Sequence, residues 1–294
     1  LGLASGGSIT LSGIRLTAGI LTELTHTVRT DLVIVDSYVE TFALTDPYVR
    51  VDLYRDSLGS GGSASSLRLI GCHVYGDFNT GASVAVSGAT LLPDELEIIG
   101  NSIGVPTGGT GVYITSTRVF HVENNFIRTN PSATSAVTFS RTGNYGGAPS
   151  TVINNTFYKH VAQAAVAVSN SGPLSPLVLK NNILVGFNDG VSSPTAANWP
   201  SLSSDHNVQT SASSIDVSTG QPLNVSLLLI NAGDPDPRYL DLDLTTNDVG
   251  CYGGSNSRAN FTTPMGSAVV GFMQAPRVVS QGDAVNINAV GFDR

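Results

Sequence analysis

The feature that most constrains this fold is one short pattern that recurs along the middle of the chain. An alternating apolar run is followed by a polar marker residue and then by a large apolar residue. The pattern covers residues 67–74, 96–103, 120–127, 151–157 and 177–184. Its marker positions are Cys72, Asn101, Asn125, Asn155, Asn182 and then Asn207, which are spaced by 29, 24, 30, 27 and 25 residues. Self-similarity at this period indicates a solenoid with one repeat per turn.

A second series of short apolar segments lies out of phase with the first. It comprises residues 84–86, 112–114, 137–139 and 166–168, each with apolar residues two positions apart. Such alternation is typical of a short strand with one buried face. Each turn therefore carries at least two strands, separated by Gly, Asn, Ser and Pro clusters that mark corners. Strands that stack on those of the preceding turn form parallel sheets, so the sequence predicts an all-β parallel β-helix.

Paired asparagines at 124–125, 154–155 and 181–182 have a physical role in such a turn. Asparagine tolerates the left-handed backbone region and bonds its own backbone, so it can form a sharp corner. Stacked on its equivalent in the next turn, its amide can also bond that neighbour. We therefore interpret these residues as structural, and we predict a hydrogen-bonded ladder. Its members are Asn101, Asn125, Asn155, Asn182 and Asn207.

These turns resemble those of right-handed parallel β-helix proteins of the pectin-lyase-like superfamily. The resemblance covers residues 65–210 well and residues 9–60 weakly, where residues 32–39 form a plausible earlier turn. Residues 230–237, 241–243 and 247–254 are similar to the closing segment of secreted bacterial β-helix proteins. Leu244 replaces the glycine usual in that segment, and Cys251 replaces the usual alanine.

Length and composition favour one long domain, and the charge argues against nucleic-acid binding. Solenoids grow by adding turns, so 294 residues fit a β-helix over residues 1–254, including the closing loop 231–254. Residues 255–294 would form a β extension or begin a small second module. Only 12% of residues are charged, against about a quarter in typical domains. A net charge of −8 without a basic run argues against nucleic-acid binding.

Low charge also bears on location and association. A neutral polar surface desolvates few charges when subunits pack closely, which favours self-association or binding to other cell-surface components. No stretch of about 18 apolar residues is present, so no transmembrane helix is expected. Together with the resemblance, these features favour the outside of a bacterial cell. Cys72 and Cys251 are expected to be buried thiols, with a disulfide as the alternative.

Catalytic candidates follow from what pectin-lyase-like enzymes need. A lyase abstracts a proton next to a uronate carboxylate, which requires a base such as Lys or Arg and usually Ca²⁺. Lys159, with His160 beside it and Arg128 one turn away, is the candidate set. The alternative is that these residues are solvated side chains just beyond a strand. A hydrolase would need two facing carboxylates, but Glu97, Glu123 and Asp189 fall at different offsets.

An acidic cluster in the closing loop 231–254 is the candidate metal site. Asp234, Asp236, Asp241, Asp243, Asn247 and Asp248 place six oxygen-bearing side chains within fifteen positions. Hard cations take such ligands, so the cluster predicts a Ca²⁺ ion that pins the loop closing the solenoid. The alternative is that these side chains cap turns through their own backbone.

Two classes of function remain open from the sequence. The first is an extracellular, non-enzymatic scaffold, such as a surface-layer, appendage, filament or adhesin subunit, that assembles through its terminal strands. An open strand edge must be capped or it recruits another chain, which gives this class its physical motive. The second is a lyase or hydrolase acting on an acidic polysaccharide, which rests on the resemblance alone. Beyond Gly254, residues 267–274 and 284–290 are predicted to be strands outside the solenoid period.

Overall fold

The structure is a computed structural model of all 294 residues. It describes residues 6–17, 20–21, 26–75, 82–86, 96–105, 108–115, 118–133, 135–139, 149–160, 166–170, 176–187, 189–191, 202–223, 228–262, 268–274, 284–285 and 287–293.

Short strands dominate the described part of the chain. In the first four turns they are β1 Ser8–Ser12, β2 Arg15–Leu16, β3 Ile20–Leu21, β4 Thr30–Val35, β5 Tyr38–Val39, β6 Phe42–Leu44, β7 Val49–Tyr54, β8 Ser57–Leu58, β9 Gly62–Ala64, β10 Ser66–Ile70, β11 His73–Val74 and β12 Ala82–Val86. The later turns contain β13 Leu96–Ile99, β14 Ser102–Gly104, β15 Thr110–Ile114, β16 Phe120–Glu123, β17 Phe126–Thr129, β18 Ser135–Phe139, β19 Ser150–Ile153, β20 Thr156–Lys159, β21 Val166–Asn170, β22 Leu177–Lys180, β23 Ile183–Val185, β24 Asp189–Val191, β25 Leu202–Asp205 and β26 Val208–Thr210. After them come a 3₁₀ helix Ala212–Ser214, α1 Ala259–Thr262, β27 Ala268–Gln274 and β28 Asn288–Asp293.

Three parallel sheets are built by taking one strand from each turn. The first sheet has nine strands in the order β1-β4-β7-β10-β13-β16-β19-β22-β25, and the second has nine in the order β2-β5-β8-β11-β14-β17-β20-β23-β26. The third has eight, from β3 through every third strand to β24. This arrangement confirms the predicted right-handed parallel β-helix. The segments predicted at 84–86, 112–114, 137–139 and 166–168 all lie in the third sheet.

The core is a set of stacked columns inside the solenoid. On the first sheet Leu32, Val51 and Leu67 occupy equivalent inward positions on successive turns, and all three are buried. Like residues stack about 4.8 Å apart because that is the distance between neighbouring strands. The predicted early turn at residues 32–39 is part of this stack, in β4 and β5. Because each turn buries its inward face only against its neighbours, stability comes from stacking.

The chain then leaves the solenoid at residue 211 and returns along its outside. Ile215, Leu229, Val249 and Cys251 form an apolar cluster with outward residues of the second sheet, among them Phe126 and Ile183. Further along, Phe261 of α1 packs on Val35, Tyr54, Ile70 and Ile99 of the first sheet. We call residues 211–262 the closing segment. Contacts with the solenoid thus continue past Gly254, and the predicted division at residue 254 stays a prediction.

The C-terminal extension is an antiparallel pair of strands, β27 and β28, with an irregularity between Val270 and Phe272. The first strand lies where the sequence predicts it. The second begins at Asn288 and ends at Asp293, several positions later than the predicted 284–290. In the part of the chain that the structure describes, no helix is long and apolar enough to cross a membrane.

Candidate functional site

The corner between the first and second sheets repeats one backbone conformation on every turn. A residue with φ between 49° and 71° ends each strand of the first sheet. These residues are Gly13, Asp36, Arg55, Gly71, Gly100, Asn124, Asn154, Asn181 and His206. Positive φ is costly for most residues and least so for Gly, Asn and Asp. The first asparagine of each predicted pair therefore supplies the backbone turn, and its side chain points away from the core.

The second asparagine of each pair points inward and forms a continuous ladder. The Nδ2 of Asn101 donates to Oδ1 of Asn125 at 2.8 Å, and the Nδ2 of Asn125 donates to Oδ1 of Asn155 at 3.0 Å. The ladder continues through Asn182 to Asn207, with Nδ2 to Oδ1 distances of 3.0 and 2.8 Å. Each Oδ1 also accepts the backbone N–H of the preceding member. The side-chain amides of the inward ladder are thereby satisfied, as a low-dielectric interior requires.

Three residues extend the same ladder toward the N-terminus: Cys72, which the sequence marks as the first position of the repeat, and Asp56 and Ser37, which sequence reasoning missed. The N–H of Cys72 donates to Asn101, the N–H of Asp56 faces the sulfur of Cys72 at 3.4 Å, and the N–H of Ser37 donates to Asp56 at 2.7 Å. Asp56 is buried, and desolvation raises the pKa of its carboxyl to about 7. Cys72 and Cys251 are both buried free thiols, and burial raises the pKa of each.

The closing segment hydrogen-bonds the outward asparagines of the later turns. The Nδ2 of Asn124 donates to the carbonyl of Gly253 at 2.5 Å, and Asn154 donates to the same carbonyl at 3.3 Å. Oδ1 of Asn181 accepts the N–H of Asp234 at 2.8 Å. The segment therefore seals this corner from outside, and the paired asparagines serve both the interior and the cover.

The predicted metal ligands lie within this segment, where most of them accept bonds from its own backbone. Asp241 accepts the N–H groups of Asp248 and Gly254, while Asp248 accepts that of Asn231. Asp236 pairs with Arg238 at 2.7 Å, which holds the pKa of the Asp236 carboxyl at about 2. Asp243 bonds the N–H and the hydroxyl of Thr245. Nδ2 of Asn247 donates to the carbonyl of Tyr239 at 2.5 Å. These bonds match the turn-capping interpretation, and the Ca²⁺ ion stays a prediction.

One other group could be considered for a metal. Among the described residues, the side chains of Asp205, His206 and Asp234 bring three ligand atoms within 4.8 Å of one another. Of these only Asp234 belongs to the predicted set. Its carboxylate already pairs with Nζ of Lys180 at 2.5 Å, and that pairing lowers the pKa of Asp234 against the opposing effect of burial. A cation entering here would have to displace the lysine.

The predicted catalytic set is not brought together. Lys159 is paired in register with the buried Thr129, and only 3% of Lys159 is exposed. Its Nζ donates to the carbonyl of Ala133 at 2.7 Å, and desolvation lowers its pKa. Arg128, one position before Thr129, is exposed on the opposite face of the strand. His160 is exposed and bonds the hydroxyl of Tyr158 at 3.1 Å.

A row of charged side chains crosses the outer face of the first sheet instead. Arg50 donates to Asp52 at 2.7 Å, and Arg68 donates to Glu97 and lies 3.8 Å from Asp52. Two turns further, Thr151 joins His121 at 2.8 Å to Glu123 at 2.7 Å. Arg50 and Glu97 are buried, so this row acts as a network of ion pairs between turns. Its sequence signal was a single polar residue between two inward apolar residues in four successive strands, namely Asp52 in β7, Arg68 in β10, Glu97 in β13 and His121 in β16.

The closing segment covers the outer face of the second sheet in its later turns. In the earlier turns, the described side chains of this face are exposed or half-buried; they include Arg15, Tyr38, Glu40, His73 and Tyr75, which we call the tyrosine strip. The Arg15 guanidinium lies 4.5 Å from the Tyr38 ring centroid, and the Tyr38 hydroxyl bonds Glu40 at 2.5 Å. The ring centroids of His73 and Tyr75 lie 4.3 Å apart with the planes tilted by 46°, and 58% of Tyr75 is exposed. Aromatic faces flanked by charged and hydroxyl groups suit a ligand with both apolar and polar sides.

The two ends of the solenoid differ. On the first turn, Ile9, Leu11 and Leu16 point toward the core but are only partly buried. On the last turn the equivalents of Leu179 and Leu184 are Ser204 and Gln209, both exposed. The Gln209 side chain donates to the carbonyl of Phe187 at 2.7 Å. The N-terminal end is therefore apolar, whereas the C-terminal end combines one apolar inward residue, Leu202, with the polar Ser204 and Gln209.

Comparison of the chain with family models, with curated proteins and with solved structures gives no match.

Proposed function

We propose that this protein is an extracellular, non-enzymatic β-solenoid scaffold, a surface, appendage, filament or adhesin subunit that assembles through its terminal strands. The N-terminal end of the solenoid carries the proposal. Among the strands that the structure describes, β1 and β2 lie at the edges of their sheets, with β3 at the edge of the third. Unpaired strand edges over a partly exposed apolar interior favour the addition of another chain.

The chemistry of the described residues supports a structural role. Lys159 is buried and bonded to a backbone carbonyl, and the charged row on the first sheet is occupied by ion pairs. Few charges in the whole chain mean that lateral contacts desolvate little. The asparagine ladder and the turn length also support membership of the pectin-lyase-like superfamily, which we include in the proposal together with a cell-surface location.

The test is electron microscopy and sedimentation velocity at low and high protein concentration. We expect concentration-dependent assembly, and we expect Leu11→Glu to abolish it by placing a charge at the apolar end. The matched control is Leu228→Glu, which adds the same charge at an exposed leucine, 72% accessible, away from the end. A wild-type protein that stays monomeric at all concentrations would overturn the proposal. Circular dichroism of both variants excludes unfolding as the cause.

A second candidate function is polysaccharide binding, which the tyrosine strip favours. Retardation in gels that contain an acidic polysaccharide should be lost in Tyr75→Ala. It should persist in Tyr113→Ala, which truncates a half-buried tyrosine on the third sheet. If a lyase or hydrolase activity is found, undiminished turnover of Lys159→Ala would remove the base predicted from the sequence.

A further inference from the structure

Among the described strands β1 pairs only with β4. Its other edge, which we call the free edge, can be located from the bonds to β4. The N–H of Asp31 donates to the carbonyl of Gly7, and the N–H of Gly13 donates to the carbonyl of Val35. In a parallel pair, residues that bond one neighbour alternate with residues that face the other side. The odd-numbered residues of β1 therefore bond β4. The N–H and C=O groups of Ser8, Thr10 and Ser12 face away from it, and all three residues are exposed.

The sequence of this edge is almost the same in both directions. It reads Ser8-Ile9-Thr10-Leu11-Ser12, with hydroxyl residues at the free-edge positions and β-branched or aliphatic residues at the inward ones. It contains no charge and no proline, two of the devices that keep strand edges from pairing. A strand of this kind is complementary to a second copy of itself running antiparallel.

We propose that two copies of this chain join at their N-terminal ends about a two-fold axis, through antiparallel pairing of β1 with β1 of the second copy. This inference rests on the proposed assembly through terminal strands and names the partner. Thr10 lies opposite Thr10 of the second copy, Ser8 lies opposite Ser12, and Ser12 lies opposite Ser8. All three are hydrogen-bonded pairs with two backbone bonds each, which gives about six new bonds.

The same rotation continues the core across the junction. Ile9 of one copy lies opposite Leu11 of the other, so the half-exposed apolar residues of both first turns become buried. Because a two-fold axis through the first sheet exchanges the other two sides of the solenoid, β2 faces β3 of the second copy. An isologous contact of this kind closes on itself, so the product is a dimer with both C-terminal ends outward.

The C-terminal end does not offer an equally good partner. Stacking β1 on β25 would match Ile9 with Leu202, but it would set Leu11 against Ser204, and Leu16 would meet Gln209 in the second sheet. The β25 edge also carries Asp205, whose side chain is 60% exposed. An exposed charge on an edge strand opposes further pairing, so the head-to-tail arrangement is disfavoured.

Disulfide trapping tests the geometry. A hydrogen-bonded antiparallel pair places Cα atoms about 5.5 Å apart, which lies within the range that a disulfide spans. Thr10→Cys should therefore form a covalent dimer under mild oxidation. Ser8→Cys alone and Ser12→Cys alone should not, whereas a mixture of the two should. The wild type is the control for Cys72 and Cys251, which are buried.

A second measurement uses the free edge itself. Thr10→Pro removes an edge N–H without touching the bonds to β4 and should weaken the dimer at least tenfold in sedimentation equilibrium. Thr10→Val keeps that N–H and should leave the dissociation constant within about twofold. Ser203 occupies on β25 the position that Thr10 occupies on β1, so a disulfide between Thr10→Cys and Ser203→Cys would report head-to-tail stacking. That disulfide, without a Thr10→Cys homodimer, would overturn the two-fold arrangement but not the proposed assembly through terminal strands. Monomers throughout, without trapping, would overturn both.

Discussion

The corner of the solenoid solves one structural problem in two ways. From Asn101 to Asn207 the inward positions are all asparagine, and three outward positions, Asn124, Asn154 and Asn181, are hydrogen-bonded by the closing segment. In the earlier turns the inward positions are Ser37, Asp56 and Cys72. The backbone conformation is nevertheless the same in both halves. The corner thus requires a residue with positive φ followed by an inward acceptor, and asparagine is only one way to supply them.

The outward side chains explain why the halves differ. In the later turns the closing segment presents backbone groups, and an amide can bond these without carrying a charge into a buried site. In the earlier turns, the guanidinium of Arg55 reaches Asp36 on the neighbouring turn at 2.7 Å. At Gly71 and Gly100 there is no outward side chain, and Phe261 occupies the space. In these turns, the outward residue of the corner therefore fits the group that packs over it.

The largest effect is expected from breaking the ladder in its asparagine half. Asn155→Ala removes the acceptor for the N–H and amide of Asn125, and it removes the amide donor to Oδ1 of Asn182 and to the carbonyl of Val122. Several buried polar groups lose partners, so we expect a loss of about 4 kcal/mol in the free energy of unfolding. Cys72→Ala, in the mixed half, should cost only about 2 kcal/mol because sulfur is a weak acceptor. Equal losses in urea titrations of the two variants would contradict this difference.

A smaller loss should follow from filling the space under Phe261. A Cβ at Gly100 would lie 2.2 Å from the Phe261 ring, at a residue with φ of +71°. Gly100→Ala therefore combines backbone strain with displacement of α1, and we expect about 3 kcal/mol. Gly13→Ala is the matched control, since Gly13 has φ of +64° but no atom within 4 Å of the added Cβ.

The two glycine variants also distinguish backbone strain at the corner from displacement of Phe261. Strain alone should cost the control about 1 kcal/mol. Only Gly100→Ala should expose the closing segment to proteolysis, because only there does the added carbon push on Phe261. Equal rates of cleavage within residues 228–262 in both variants would show that Phe261 does not hold the segment in place.

Asp56 makes the earlier half of the corner sensitive to pH. Burial raises the pKa of its carboxyl from 3.8 to about 7 in the folded protein. Folding therefore favours the protonated form. Its contribution to stability is complete below about pH 4 and is lost as the pH rises through about 7. Asp56→Asn should remove this dependence, adding about 2 kcal/mol at pH 8 and little at pH 4. Parallel profiles of unfolding free energy against pH for wild type and variant would rule out this role for Asp56.

The comparison between the halves also shows what sequence could reveal. The asparagine half repeats one residue type at spacings of 24 to 30 residues, so both its period and its ladder are visible. In the earlier half the markers Ser37, Asp56 and Cys72 differ in type and lie 19 and 16 residues apart. The apolar pattern around Cys72 still reveals that position, whereas a search for the repeat misses Ser37 and Asp56. Alternation of apolar residues recovers part of β4 and β5.

The candidate sites show a different limit to what could be predicted from the sequence. Lys159 follows the inward Phe157 by two positions, so the strand period already indicated that its side chain would not face outward with Arg128. The path of the closing segment left no such signal. Its anchors Leu229, Val249 and Phe261 are separated by long turns, and only tertiary contacts bring them to the sheets. The second strand of the extension was predicted several residues too early, because the residues at which a strand begins and ends depend on its pairing with β27.

The smallest expected effect concerns the acidic loop of the closing segment, which lies over the later turns of the corner. A Ca²⁺ ion at the predicted ligands would compete with backbone donors, as at Asp241 and Asp248, so binding should be weak. At about ten times its dissociation constant it would add about 1.4 kcal/mol, a rise of a few degrees in melting temperature. Magnesium at equal ionic strength is the control, because Mg²⁺ demands a tighter octahedral site. Identical melting curves in chelator and millimolar Ca²⁺ would leave turn capping as the role of these carboxylates, and the cover would then depend on protein contacts alone.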